Sequence, residues 1–284
     1  MKTLIQRLLL FFIGLPVIVM VVFLLPQFNN LAVNIIILVL NSLGSVEFAA
    51  MLRKRSLSIS NLEAVILGSL SPLTVLVNVN FFPDAWSVPV SIMAGASWLL
   101  VSRVFSAGGR FEDSLNQMAA GFSVIIYPGL FMIWLMKITL LDHAEFLLLG
   151  FLLLVISNDS AGWAAGMMFG RNNQGVAAAS PNKSVAGFIG GFLASVVVGI
   201  GVVYFAPRGF LPRLLPQTLA GALLGLVCAA AGSLGDLAES VMKRSAAIKD
   251  SGTIVPGRGG ILDCIDSIAL TAPVYYGLYR LLFG

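Results

Sequence analysis

Nine stretches of this sequence are long and apolar enough to cross a bilayer, which excludes most folds at once. They run at about 5–25, 30–51, 60–81, 86–106, 115–137, 145–168, 185–206, 215–242 and 261–282. Each is close to the roughly 20 residues a helix needs to traverse the hydrocarbon core. In lipid every backbone N–H and C=O must find its partner within the protein, so such spans are helices. Only 11% of residues are charged and 58% are hydrophobic, whereas soluble domains are about a quarter charged. The sequence predicts an all-α, polytopic integral membrane protein with about nine transmembrane helices.

The N-terminus carries Lys2 and Arg7 ahead of an apolar run. That arrangement is similar to a secretory signal, but the run is too long and no small-residue cleavage site follows, so it reads as the first span. Lysines and arginines in short loops set orientation. With the N-terminus in the cytoplasm, thirteen of the seventeen lysines and arginines fall on the cytoplasmic side, Arg110 among them, and Arg208 is one of four outside. The sequence shows no internal repeat and no soluble domain. It reads as a single transmembrane domain over 1–284, with apolar spans in 1–150 and the chemistry in 151–284. No basic arm or aromatic–basic alternation marks a nucleic-acid binder. Cys228 and Cys264 lie in or beside apolar helices and read as core residues, without a disulfide framework.

Against this background one stretch stands apart. Asp236, Glu239, Lys243, Arg244, Lys249, Asp250, Arg258, Asp263 and Asp266 fall within 233–266. Charge in or beside a membrane is costly and usually marks function. Asp236, Glu239, Ser240 and Lys243 are spaced i, i+3, i+4 and i+7, on one helical face, and the part of that helix from Asp236 on either projects from the apolar core or lines a wet cavity. Asp263 and Asp266 share a face of the next helix. Carboxylates on two neighbouring helices can share Mg2+, which is held typically by one or two carboxylates together with substrate phosphates. The loop between them holds Lys243, Arg244, Lys249, Asp250, Arg258, Gly259 and Gly260. Its glycines allow backbone to approach a ligand closely, and its cations can neutralise a triphosphate and a lipid phosphate.

A second polar group begins with Asn158 and Asp159, which interrupt an apolar run. Arg171, Ser180, Lys183 and Ser184 follow. Ser184 is placed to cap the next helix, whose N-terminus favours phosphate. Glu47 and Glu63, in or near apolar spans, read as structural carboxylates paired with Arg53 or another charge, or else as lining a substrate route. His143 is the only histidine and stands apart, and no Ser, Cys or Thr has a base beside it, so His-based and hydroxyl- or thiol-based nucleophilic catalysis are excluded.

The stretch 240–266 resembles the motif of phosphatidate cytidylyltransferases, also called CDP-diacylglycerol synthases. That motif runs S-x-x-K-R-x4-K-D, a variable run, then P-G-H-G-G-x-x-D-R-x-D. Here Ser240, Lys243, Arg244, Lys249, Asp250, Pro256, Gly257, Gly259, Gly260, Asp263 and Asp266 stand in those places. Gly235, Asp236, Glu239 and Ser240 are similar to the family's preceding G-D-x-x-E-S. Asn158-Asp159-Ser160-Ala161 and Ser180-Pro181 with Lys183-Ser184 resemble two upstream elements. Arg258 replaces the family's His and Cys264 its Arg, and Ala186 stands where many members carry Glu or Gln. Arginine donates hydrogen bonds but does not exchange a proton near neutral pH, so Arg258 is suited to binding phosphate rather than to acid–base work.

The resemblance implies transfer of a cytidylyl group from CTP to phosphatidic acid in the cytoplasmic membrane, with the active site facing the cytoplasm, Mg2+ as cofactor in two ions, and a homodimer. It implies Asp236 and Asp263 as principal metal ligands with Asp266 and Glu239 beside them. Lys243, Arg244, Lys249, Asp250 and Arg258 would serve the triphosphate, and Asn158, Asp159, Arg171, Ser180, Lys183 and Ser184 would complete the pocket. Two other readings stay open: a related CTP-dependent lipid enzyme, such as a lipid-alcohol kinase or an ether-lipid cytidylyltransferase, and a transporter. The transporter is disfavoured, because transporters often carry paired repeats and here the charges gather at one face.

Overall fold

The computed structural model describes residues 13–80, 86–105, 111–205 and 212–284. Lys2, Arg7, Arg110, Arg208 and the first part of the N-terminal span lie outside them. The described residues are helical almost throughout, with a few isolated bridges in loops and no strand. The helices are α1 (Leu15–Leu24), α2 (Gln27–Arg53), α3 (Asn61–Asn80), α4 (Ser87–Val104), α5 (Ser114–Val124), α6 (Phe131–Ile138), α7 (Ala144–Phe169), α8 (Val185–Phe205), α9 (Gln217–Ser245) and α10 (Leu262–Leu282).

Among the described residues seven helical segments are long and apolar enough to span a membrane: α2, α3, α4, α5 with α6, α7, α8 and α9. Large apolar side chains such as Trp98, Leu193 and Val197 are exposed on them. In water such surface would be anomalous, whereas in lipid it is the solvated face. The chain is an integral membrane protein. The helix expected at 261–282 is present as α10, but Asp263, Asp266 and Arg280 load it with charge and it is not among the seven. The helix expected at 115–137 is broken by a wider turn, Ile125–Leu130, centred on Pro128. Proline lacks the N–H that would continue the ladder.

The chain packs as two compact units: Met1–Leu140 with Met242–Cys264, and Leu141–Val241 with Ile265–Gly284. In the first unit, spans are tied by small polar contacts. Asn41 Nδ2 donates to the Gly68 carbonyl at 2.9 Å, Ser42 and Ser69 hydroxyls meet at 2.8 Å, and Asn34 Nδ2 donates to Thr139 Oγ1 at 3.0 Å. Lipid gives helices no hydrophobic reason to associate, so such contacts and small residues do the joining.

In the second unit α7 and α8 cross closely. A Cβ on Gly187 would come within 2.9 Å of the Gly162 carbonyl, and one on Gly191 within 2.7 Å of the Asn158 carbonyl. Tyr275 is fully buried. Its hydroxyl donates to the Leu147 carbonyl at 2.9 Å while its ring meets Phe151 edge-on.

Candidate active site

The polar residues singled out in the sequence fall into two groups, one in each unit. In the first unit, α9 ends at Ser245 in a left-handed turn. Ala247 has φ of 55°, Ile248 N–H donates to the Lys243 carbonyl at 2.9 Å and Ala247 N–H to the Arg244 carbonyl at 3.0 Å. This is a Schellman end. It releases the chain into a loop that turns again at Val255-Pro256-Gly257-Arg258. There Arg258 N–H donates to the Val255 carbonyl at 3.1 Å and Gly257 has φ of 78°. Proline second and a positive-φ glycine third is the pattern of a type II turn.

Asp263 opens α10 and is nearly buried. Its Oδ1 takes Lys243 Nζ at 2.6 Å, the two side chains being 7% and 11% exposed. Its Oδ2 accepts from Ser251 N–H at 2.8 Å, Ser251 Oγ at 2.9 Å and Gly260 N–H at 2.7 Å. Gly259, at φ of 116°, is held so close that a Cβ there would sit 2.4 Å from Asp263 Oδ2. The loop glycines thus serve approach of backbone to a carboxylate of the protein, a demand the sequence reading assigned only to a ligand. Lys249, Asp250 and Arg258 are exposed on the outer side of the loop. They line a hollow of about 410 Å³ with Gly252, Pro256 and Gly259. Ligand pockets typically measure roughly 300–1,000 Å³. Arg244 is exposed at the end of α9.

In the second unit, Lys183 Nζ meets Asp236 Oδ2 at 2.5 Å, with side chains 24% and 33% exposed. Lys183 also lies over the Phe188 ring. Ser184 caps α8 as the sequence predicts, its Oγ accepting Gly187 N–H at 3.1 Å. Asn158 is buried in α7 and donates to Ser233 Oγ and to Asp159 Oδ1, both at 3.4 Å. Glu239 and Asp266 are buried and interact with one another, with Asp236 close enough to act on Asp266 electrostatically. Ser180 is half-buried in a tight turn of the segment between α7 and α8, and Arg171 is exposed on it.

Sequence reasoning missed the role of Glu47. It does not meet Arg53, whose guanidinium donates to the Ile59 carbonyl at 2.8 Å. Glu47 is 6% exposed and accepts from Ser251 Oγ at 3.0 Å and from the amides of Ile261 and Leu262 at 2.9 Å each. The only sequence signal was a carboxylate stranded in an apolar helix. Glu63 pairs with Arg103 at 2.5 Å.

Among the described residues no group of three or more His, Cys, Asp or Glu side chains is gathered as a metal-ligand set. Asp236 and Asp263 nonetheless each hold a cation already, in the form of a lysine ammonium. Oxygen-only donors of this kind suit a hard divalent ion such as Mg2+.

The cytidylyltransferase family model matches residues 5–282. The chain belongs to the cytidylyltransferase family. It is 36% identical over 166 residues to a relative from Escherichia coli K12 named Uncharacterized protein YnbB, covering 52% of this chain and 51% of that one. It is 44% identical over 104 residues to a phosphatidate cytidylyltransferase of Synechocystis, covering 36% and 33%. It is 30% identical over 188 residues to a phosphatidate cytidylyltransferase of Staphylococcus haemolyticus, covering 66% and 68%. The match thus spans about half or less of the first two relatives' length.

Proposed function

We propose that this family member transfers a cytidylyl group from CTP to phosphatidic acid, releasing pyrophosphate and forming CDP-diacylglycerol. The observation that carries the reading is the loop between α9 and α10. It is basic and Gly-rich, is clamped at Lys243–Asp263, and lies inside the stretch matched to the family. The names of the Synechocystis and Staphylococcus relatives supply the substrate class.

The chemistry suits these residues. An oxygen of the lipid phosphate attacks the α-phosphorus of CTP. The bond from that phosphorus to the bridging oxygen breaks, and its electron pair leaves on pyrophosphate. The nucleophile is already anionic, so neither a histidine base nor a serine is required. Positioning and charge neutralisation carry such transfers. In this reading Lys243, Arg244, Lys249 and Arg258 bind the triphosphate and steady charge developing on pyrophosphate, with Asp250 beside them. Lys183, Ser184, Asn158, Asp159, Ser180 and Arg171 serve the lipid phosphate. Asp236 and Asp263 would be the principal ligands of Mg2+, with Glu239 and Asp266 as further ligands. Two bound ions would supply charge neutralisation on phosphate oxygens.

The same reading takes the chain as one nine-span domain of the cytoplasmic membrane, N-terminus inside, working as a homodimer with its site on the cytoplasmic face, where CTP is available. The test is incubation of purified protein with labelled CTP and a panel of phospholipids. CDP-diacylglycerol and pyrophosphate from phosphatidic acid are expected. CDP with a newly phosphorylated lipid would make it a kinase, and no lipid product from any member of the panel would overturn the reading.

A further inference from the structure

The N-terminal spans look inert in sequence, yet one of them grips the basic loop at both ends. Just past the C-terminus of α2, Arg55 donates to the Ser245 carbonyl at the end of α9, and within α2 Glu47 receives the amides of Ile261 and Leu262 at the start of α10. A cation at a helix C-terminus and an anion at an N-terminus each complement the helix dipole. Glu47 continues inward through Ser251. The Ser251 hydroxyl reaches both Glu47 Oε2 and Asp263 Oδ2, and Asp263 holds Lys243.

The glycines record the same grip. A Cβ on Gly252 would come within 2.4 Å of Glu47 Oε1, and one on Gly260 within 2.3 Å of Glu47 Oε2 and 2.6 Å of the Gly252 amide nitrogen. Gly252 also lines the hollow that carries Lys249 and Arg258, so the wall of that hollow backs directly onto Glu47.

We propose that Glu47 is a positioning residue for nucleotide binding, setting the shape of the 250–262 loop and, through Ser251, the Lys243–Asp263 pair. The kinetic part of this inference rests on the cytidylyl transfer proposed above, and the structural part does not. The experiment uses the full chain in detergent, comparing the parent with Glu47→Ala, Glu47→Gln and Ser251→Ala by hydrogen exchange and by kcat and KM for CTP.

Loss of hydrogen bonds to a charged acceptor should speed exchange across 250–262 by about tenfold or more in Glu47→Ala, with 185–205 unchanged. KM for CTP should rise by a similar factor. Glu47→Gln keeps one carbonyl oxygen for the amides and should recover part of both effects. A general loss of folding would lower kcat, leave KM alone and speed exchange everywhere, and that result overturns the proposal. So does unchanged exchange in 250–262. Should Glu47→Ala fail to fold, Ser251→Ala decides: faster exchange confined to the loop supports the latch, and none overturns it. A parent without turnover on any lipid would sink the transfer reading while the exchange measurement still decides the latch.

Discussion

Lys243–Asp263 and Lys183–Asp236 are both lysine–aspartate pairs on segments that resemble the family's motifs, but they are built differently. Asp263 is nearly buried and takes four donors: an ammonium, a hydroxyl and two amides. Asp236 meets Lys183 with a third of its side chain exposed. A carboxylate whose oxygens are filled by fixed backbone donors acts as a scaffold, because any exchange there leaves buried groups unsatisfied. One held by a single flexible ammonium in partial contact with water can change partners cheaply. Two pairs of the same composition thus differ in cost: an ion reaching Asp263 must displace Lys243 from a carboxylate whose other oxygen still orders the loop, whereas one reaching Asp236 displaces only a partly exposed ammonium.

Neutralising each aspartate is the strongest way to break this contrast. Asp263→Asn and Asp236→Asn should both lower turnover of CTP with phosphatidic acid by about a hundredfold or more, the range seen when one electrostatic stabiliser is removed. Their stabilities should separate. Asp263→Asn breaks a nearly buried ion pair and should cost about 3–5 kcal/mol. Asp236→Asn should cost about 0–1 kcal/mol, as for exposed pairs. Unfolding of both variants in detergent reads this directly, and equal losses would erase the distinction.

A smaller effect sharpens the other side. Lys183→Met should lower kcat/KM for phosphatidic acid by about tenfold, or ~1.4 kcal/mol, with stability nearly unchanged. If KM for CTP rose instead and the lipid KM held, Lys183 would belong to the nucleotide.

How much of this was readable beforehand depends on where each signal sits. The membrane spans were legible because lipid imposes a long apolar run. The charged stretch was legible because a chain so poor in charge concentrates it there. The Ser184 cap was legible because a serine ahead of an apolar run is a local pattern. Glu47 was visible only as a stranded carboxylate. Its partners are backbone amides more than 200 positions away, and an amide leaves no mark on residue identity. For the same reason Gly260 read as room for a ligand, when the carboxylate it makes room for lies in α2. The two lysine–aspartate pairs escaped notice because spacing places residues on a helical face but does not say which cation reaches across.

The smallest expected effect probes how rigid the scaffolded side is. Ala247 is exposed and held at a φ of 55°, in the left-handed region that costs an L-residue roughly 1–2 kcal/mol. It stays there because its amide and that of Ile248 close the end of α9 onto the carbonyls of Arg244 and Lys243. Glycine removes the steric cost but adds freedom to the unfolded chain, worth about 0.5–1 kcal/mol in the opposite direction. Ala247→Gly should therefore stabilise the protein by up to about 1.5 kcal/mol, the remainder of those two terms. If the Lys243–Asp263 side is a scaffold, the gain should appear as slower exchange at 243–263 and leave 170–190, around Lys183, unaltered. A destabilised Ala247→Gly would mean that the loop draws order from the alanine itself, and the contrast between the two pairs would have to be redrawn around a flexible rather than a fixed Lys243.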